Sequence, residues 1–158
     1  MPELTWQTAL DAAIEAEKAI IRFYRTYLPE TQNEGLKLLI RSISNRAEEH
    51  INLFEEKKNE LSTSLKQNSV ALGDKGKELD SIKNNDISAF TSPNKKQADL
   101  DFLKEMIRRE NVLGSLYKVF SEQSENEDIS IFFKGIADDQ WKQCSWAQDR
   151  YDLESLSL

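Results

Sequence analysis

The sequence predicts an all-α protein: four long helices in two helical hairpins, joined by one long crossover. Three observations carry this. Apolar residues recur every three or four positions along four separate segments. Only five Gly and three Pro in 158 residues leave little material for the turns of a sheet protein, and the 31% of charged residues sit among Leu, Ala, Gln, Glu and Lys, a helical composition. The two halves of the chain also match each other at one constant spacing.

In the first segment Trp6, Leu10, Ala13, Glu17, Ile20, Tyr24 and Tyr27 form the stripe, and Pro29 ends it. The second is expected to start at Thr31, whose hydroxyl can cap the helix while Glu34 reaches back. Its stripe runs Leu36, Ile40, Ile43, Ala47, His50, Phe54 and Leu61. The third begins near Ser92-Pro93 or a few residues later, with Leu103, Met106, Glu110, Leu113, Tyr117 and Phe120 on one face. The fourth opens at Ser124 with Glu127, a second capping box, and continues through Ile129, Phe133, Ile136, Gln140, Gln143 and Ala147; from Tyr151 onward a fraying tail is expected. The chain reads as one domain, 1–158, with hairpin one at about 4–65, the crossover at about 66–96 and hairpin two at about 97–152.

The crossover contains Gly73, Gly76, Asn84-Asn85 and Pro93, and is long for a connection inside a compact domain. Parallel second and third helices would require it. A helix of about 25 residues is roughly 38 Å long, which some 30 linker residues span easily. An up-down-down-up bundle is therefore expected, the alternative being a disordered linker between hairpins that pack some other way. Asp74 to Lys83 can form a short helix with a solvated face.

Composition excludes several functions. A net charge of −7 argues against nucleic-acid binding, which needs a basic surface. No run approaches the roughly 18 apolar residues that span a bilayer, and no basic-then-apolar leader opens the chain. Cys144 is the single cysteine, so an internal disulfide and CxxC knuckles are excluded, and a cytoplasmic location is expected. No Gly-rich phosphate loop or Ser-His-Asp order is present.

Leu10 corresponds to Leu103, Ile14 to Ile107, Glu17 to Glu110, Tyr24 to Tyr117 and Ile43 to Ile136, each 93 residues on; Thr31 and Glu34 correspond to Ser124 and Glu127 in the same way. Apolar matches alone would mean little, because any two amphipathic hairpins slide into register. The polar matches inside the core stripe point to internal duplication. Burying a carboxylate costs several kcal/mol unless it is paired or bound to a metal. Glu17 and Glu110 therefore mark a site, with Ala47 and His50, and Gln140 and Gln143, at the matching depth of the second helices.

The run AIEAEKAIIRFY (Ala13 to Tyr24), followed by RAEEHINLFEE (Arg46 to Glu56), resembles the rubrerythrin branch of the ferritin-like superfamily over both hairpins and the crossover. That resemblance implies a four-helix bundle in which a Glu on each first helix and Glu-x-x-His on each second helix hold two iron or manganese ions. Carried over by position, Glu17, His50 and Glu110 match ligands. Ala47 and Gln140 stand where the two bridging Glu belong, and Gln143 where the second His belongs; no rubredoxin-like segment exists. Tyr24 and Tyr117 become donors behind the ligands, or simple packing residues.

Two carboxylates, one imidazole and two neutral amides cannot hold two divalent ions against their repulsion. Two outcomes are left open: one iron, manganese or zinc ion on Glu17, His50 and Glu110, or no cofactor and a buried polar network with His50 charged between carboxylates. Glu48 and Glu49 lie about 100° and 200° from the stripe and are expected outside. Trp141, Cys144 and Trp146 form either a dimer surface or a wide buried stripe. The sequence is expected to encode a non-catalytic binding or assembly module, a homodimer without nucleic-acid or membrane partners. The alternative is a metal-dependent oxidoreductase of rubrerythrin-like peroxidase or ferroxidase type.

Overall fold

The computed structural model describes residues 3–71, 75–90 and 92–156. Its long helices are α1 (Trp6–Tyr27), α2 (Glu34–Glu60), α5 (Lys95–Gln123) and α6 (Glu127–Ser155), with short α3 (Thr63–Lys66) and α4 (Lys75–Ser81) between. Strands β1 (Glu3–Thr5) and β2 (Ser69–Ala71) pair antiparallel. The fold is all-α apart from this small ribbon. Among the described residues, no helix is long and apolar enough to cross a membrane.

Each long helix begins where a side chain can satisfy its free N–H groups. Thr5 and Thr8 exchange bonds at the start of α1, the Thr5 hydroxyl accepting from the Thr8 amide at 3.2 Å. Pro29 falls in a 3-10 turn, Leu28–Glu30, immediately after α1. The caps expected at Thr31 and Ser124 lie two residues further on. Asn33 accepts from the Leu36 amide at 2.9 Å, and Asn126 from the Ile129 amide at 3.0 Å. Asn caps a helix as well as Ser or Thr, and the Thr31 hydroxyl instead accepts from the Asn33 amide at 3.1 Å in the turn before the helix, while donating to Asp99 at 2.9 Å. The two asparagines keep the same 93-residue spacing. Helix α5 starts behind Asn94.

Two further expectations are corrected. Leu61 lies just past α2, its amide closing on the Lys57 carbonyl at 3.2 Å. Tyr151 opens no frayed tail, because α6 continues to Ser155. Tyr151 packs against the core, the Lys104 ammonium sits 5.6 Å from its ring, and Arg150 pairs with Glu154 at 3.4 Å.

Aromatic contacts show how the helices meet. Trp6 at the start of α1 lies 5.9 Å from Phe120 near the end of α5, while Phe23 and Tyr27 stack on Phe102 near the α5 start at 5.2 and 3.9 Å. Phe54 late in α2 meets Phe133 early in α6 at 6.1 Å. At the other end of that seam Gly35 of α2 lies under Arg150 of α6, where a Cβ would fall 1.7 Å from the guanidinium.

The crossover is pinned to this core. The Trp6 amide donates to the Asn68 carbonyl at 3.1 Å, and further along Phe90 packs on Phe23 and Phe102. Midway, buried Arg109 of α5 donates to the carbonyls of Ile82 and Asn84, both at 2.9 Å, and lies 3.5 Å over the Phe23 ring. These contacts place Asn68 at the start of α1 and Phe90 near its end. The short helix expected from Asp74 to Lys83 is α4; it turns Leu79 inward, and Ile82 just beyond it is buried too. Gly73 and Asp74 lie outside the described residues.

Candidate functional site

The six positions picked out by the sequence are all buried: Glu17, Ala47, His50, Glu110, Gln140 and Gln143 are each no more than 1% exposed. Each follows from helical period, since a residue three, four or seven places from large apolar neighbours shares their face. Two separate arrangements result.

The first is a chain of bonds through all four long helices. The Tyr117 hydroxyl of α5 donates to Glu17 Oε2 of α1 at 3.2 Å. Glu17 Oε2 lies 2.9 Å from His50 Nδ1 of α2, and His50 Nε2 lies 2.6 Å from Asp139 Oδ2 of α6. Asp139 is held in turn by Arg46, and Gln143 donates to it at 3.4 Å. Carboxylates only accept, so both imidazole nitrogens carry protons when both bonds are made. Burial alone would lower the His50 pKa; bonds to and charges on Glu17 and Asp139 outweigh this and lift it to about 9. For Asp139, burial pushes upward, but Arg46 and His50 hold the carboxyl below its ordinary value.

The second arrangement is smaller. Gln140 Nε2 donates to Glu110 Oε2 at 2.8 Å. Burial, reinforced by the charge of Glu17, raises the Glu110 pKa to about 8, against the opposing pull of Gln140 and His50. A protonated Glu110 is the resting form at neutral pH. The buried oxygens Glu110 Oε1, Gln140 Oε1 and Gln143 Oε1 have no hydrogen-bond partner. A carboxyl proton on Glu110 supplies a donor that the ionised form lacks.

The tyrosines divide. Tyr117 reaches the carboxylate of the opposite hairpin, whereas the Tyr24 hydroxyl donates to the Met106 carbonyl at 3.4 Å. Burial raises both phenols. Glu48 and Glu49 are exposed and pair with Arg25 and Arg46 at 2.5 and 2.8 Å, on the outer face the helix period assigns them.

Trp141, Cys144 and Trp146 do not share one surface. Trp141 covers Gly114 of α5, where a Cβ would meet its ring at 3.1 Å. The Cys144 thiol faces the Ile107 carbonyl at 3.8 Å, and burial together with Glu110 raises its pKa, away from a nucleophile's. Trp146 stands 41% exposed at the α2–α6 seam.

Sequence reasoning missed Asp139 and Arg46. Asp139 precedes Gln140 and sits on the flank of the stripe, so periodicity passes over it. One signal was present: Arg46 and Asp139 are themselves 93 residues apart, an opposite-charge pair at equivalent positions.

Among the described residues no group of three or more His, Cys, Asp or Glu is arranged to hold a metal ion. What the arrangement can do is hold and exchange protons: Glu110 titrates near 8 and His50 near 9. Comparison with protein-family models, with curated proteins and with solved structures gives no match.

Proposed function

We propose that this chain is a ferritin-like bundle of the rubrerythrin type, arranged up-down-down-up, that has exchanged di-metal chemistry for a self-balanced polar core and serves as a binding or assembly module. The topology is supported by the opposed ends at which α1 meets α5 and α2 meets α6, and by a crossover that travels the length of α1.

One observation carries the loss of metal chemistry. Both nitrogens of His50 face carboxylate oxygens, at 2.9 and 2.6 Å. A metal-binding imidazole must offer a bare nitrogen. Here both nitrogens carry protons and donate them to carboxylates, so neither is bare. The rest of the donor set also fails to fit two divalent ions. Ala47 offers no oxygen, Gln140 offers only an amide, Glu110 keeps its proton near neutrality, and Asp139 is committed to Arg46. Cations His50 and Arg46 balance acceptors Glu17 and Asp139 without any ion.

The alternative, a single iron, manganese or zinc ion on Glu17, His50 and Glu110, draws on the three unpartnered oxygens of Glu110, Gln140 and Gln143. Elemental analysis and iron titration decide between the readings. The wild type is expected to hold less than a tenth of an equivalent and to show no ferroxidase or peroxidase activity above background. The triple variant Ala47→Glu, Gln140→Glu, Gln143→His should take up iron. One tight equivalent in the wild type supports the mononuclear alternative, and two equivalents overturn the proposal.

A further inference from the structure

Among the described residues, six large apolar side chains stand 41–83% exposed, and five of them (Leu38, Leu53, Ile131, Trp146 and Leu153) line the seam between α2 and α6. The seam holds two depressions. One, of about 420 Å³, lies between Leu38 and Trp146; the other, of about 440 Å³, lies between Leu53 and Ile131 with His50 and Asp139 in its floor. Exposed apolar residues gathered along one face mark an interaction surface, whereas scattered ones do not.

We propose that this seam is the self-association face of the protein, covered by the same seam of a second copy. The inference rests on the assembly-module reading, and names its partner.

Three features select a second copy. The first is symmetry. Leu38 and Ile131, Leu53 and Trp146, Ser42 and Gly135 are each 93 residues apart, so the two depressions are counterparts within one chain. A surface that repeats itself across its own centre suits an isologous contact, which needs one patch to match itself.

The second is charge. The chain carries −7 overall, which opposes self-association on most of its surface. Along the seam, Arg46, Lys142 and Arg150 face Glu49, Asp138, Asp139 and Asp149, so the local balance is close to zero. The duplicated positions have opposite signs: Arg46 answers Asp139, and Glu49 answers Lys142. A twofold axis running along the seam lays α2 of one copy over α6 of the other. It sets Arg46 against the second copy's Asp139, and the Leu38 end against the Trp146 end.

The third is area. Two adjacent helices of nearly 30 residues present a face about 40 Å long and about 20 Å wide, or about 800 Å² per copy. That equals what each partner of a standard stable interface buries.

The test is oligomeric state, measured by sedimentation equilibrium on the full chain at neutral pH. The wild type is expected at twice the chain mass of 18.2 kDa. Leu38→Glu with Trp146→Glu should raise the dissociation constant by about 100-fold or more while the circular dichroism stays helical. Lys18→Glu, on the exposed side of α1 and outside α2 and α6, changes the net charge by the same two units as the double variant and should leave the dimer intact. Trp146 emission in the wild type gives a reading that needs no variant: it should shift to the blue as concentration rises through the dissociation constant. Trp6 is 3% exposed and Trp141 packs over Gly114 of α5, off the seam, so both add a constant background. A monomeric wild type at about 100 µM overturns the inference, as does a double variant that remains dimeric or a dimer broken by Lys18→Glu. A monomer that still lacks metal would end the self-association face while leaving the polar-core reading untouched.

Discussion

The two halves of the buried site occupy equivalent positions and behave as opposites. Glu17 faces a histidine, and the pair is completed by Asp139 and Arg46 into an ionised chain across four helices. Glu110, 93 residues on, faces a glutamine and holds its proton to about pH 8. Backbone geometry does not separate them, since both carboxyls are fully buried on first helices of a hairpin. The difference is the residue opposite. A cation at that place lets a buried carboxylate stay charged; a neutral amide offers one hydrogen bond and no charge, so desolvation wins. Two positions can therefore match in place along their helices while differing in charge.

Removing the cation should break the comparison most sharply. His50→Leu leaves Glu17 and Asp139 buried and facing each other with only Arg46 to compensate. Stripping one partner from a buried ionic group costs about 3–5 kcal/mol. The expected result is a fall of that size in urea-unfolding free energy at pH 7. Gln143→Leu, one helical match away on α6, removes a single long bond to Asp139 and should cost about 1 kcal/mol. Equal losses for the two variants would mean that His50 carries no special charge.

The next contrast sets the two carboxyls against each other. Glu17→Gln removes the charge that holds His50 protonated and should cost about 2 kcal/mol at pH 7. At pH 7 the unfolded chain ionises Glu110 while the folded chain protonates it, so Glu110→Gln, neutral in both states and of the same shape, should instead gain stability by on the order of a few kcal/mol. Their pH dependence sharpens the point. Glu110 titrates at about 8 in the fold against an ordinary 4.5, so the folded state binds the extra proton between those values and stability falls as pH rises through that window. His50, at about 9 against 6.5, contributes stability fully present below 6.5 that is lost as pH rises through about 9. The lowered pKa of Asp139 acts oppositely: its contribution is present above 3.8 and is lost as pH falls toward its folded value. Wild-type stability should thus decline from about pH 5 to pH 9. The Glu110→Gln variant should lose the part between 5 and 8, gaining on the wild type by on the order of a few kcal/mol at pH 9. Parallel pH profiles for wild type and Glu110→Gln would contradict a protonated Glu110.

Much of this was legible in the sequence, because helical period is a local property. The four long helices and six polar or substituted positions inside their stripes follow from counting residues in threes and fours. Caps were less legible: Thr31 and Asn33 can each begin a helix, as can Ser124 and Asn126, and in both places the hydroxyl accepts from the asparagine amide and leaves the cap to the asparagine. Asp139 was not legible at all. It lies on a flank, and its bond to His50 is set by how α2 and α6 cross, a quantity no single helix encodes. The tyrosines show the same limit. The spacing places Tyr24 and Glu17 on one face of one helix, but the hydroxyl that reaches Glu17 belongs to Tyr117, across the bundle.

That exchange of tyrosines gives the smallest and most selective prediction. Tyr117 and Tyr24 lie 93 residues apart, both fully buried, and both donate one hydrogen bond. Their acceptors differ. Tyr117 gives its proton to Glu17, a carboxylate already engaged with His50, at 3.2 Å; Tyr24 gives its proton to the neutral Met106 carbonyl at 3.4 Å. Bonds to charged acceptors contribute about 1.5–3 kcal/mol against about 0.5–1.5 for neutral pairs. Tyr117→Phe should therefore destabilise by about 1 kcal/mol more than Tyr24→Phe at pH 7. The excess should vanish in a Glu17→Gln background, where Tyr117 faces an amide oxygen instead of a charge. A double-mutant cycle between positions 17 and 117 measures it directly. Zero coupling there, or equal losses for the two phenylalanine variants, would show that the charged chain ends at Glu17 and does not extend to the second hairpin.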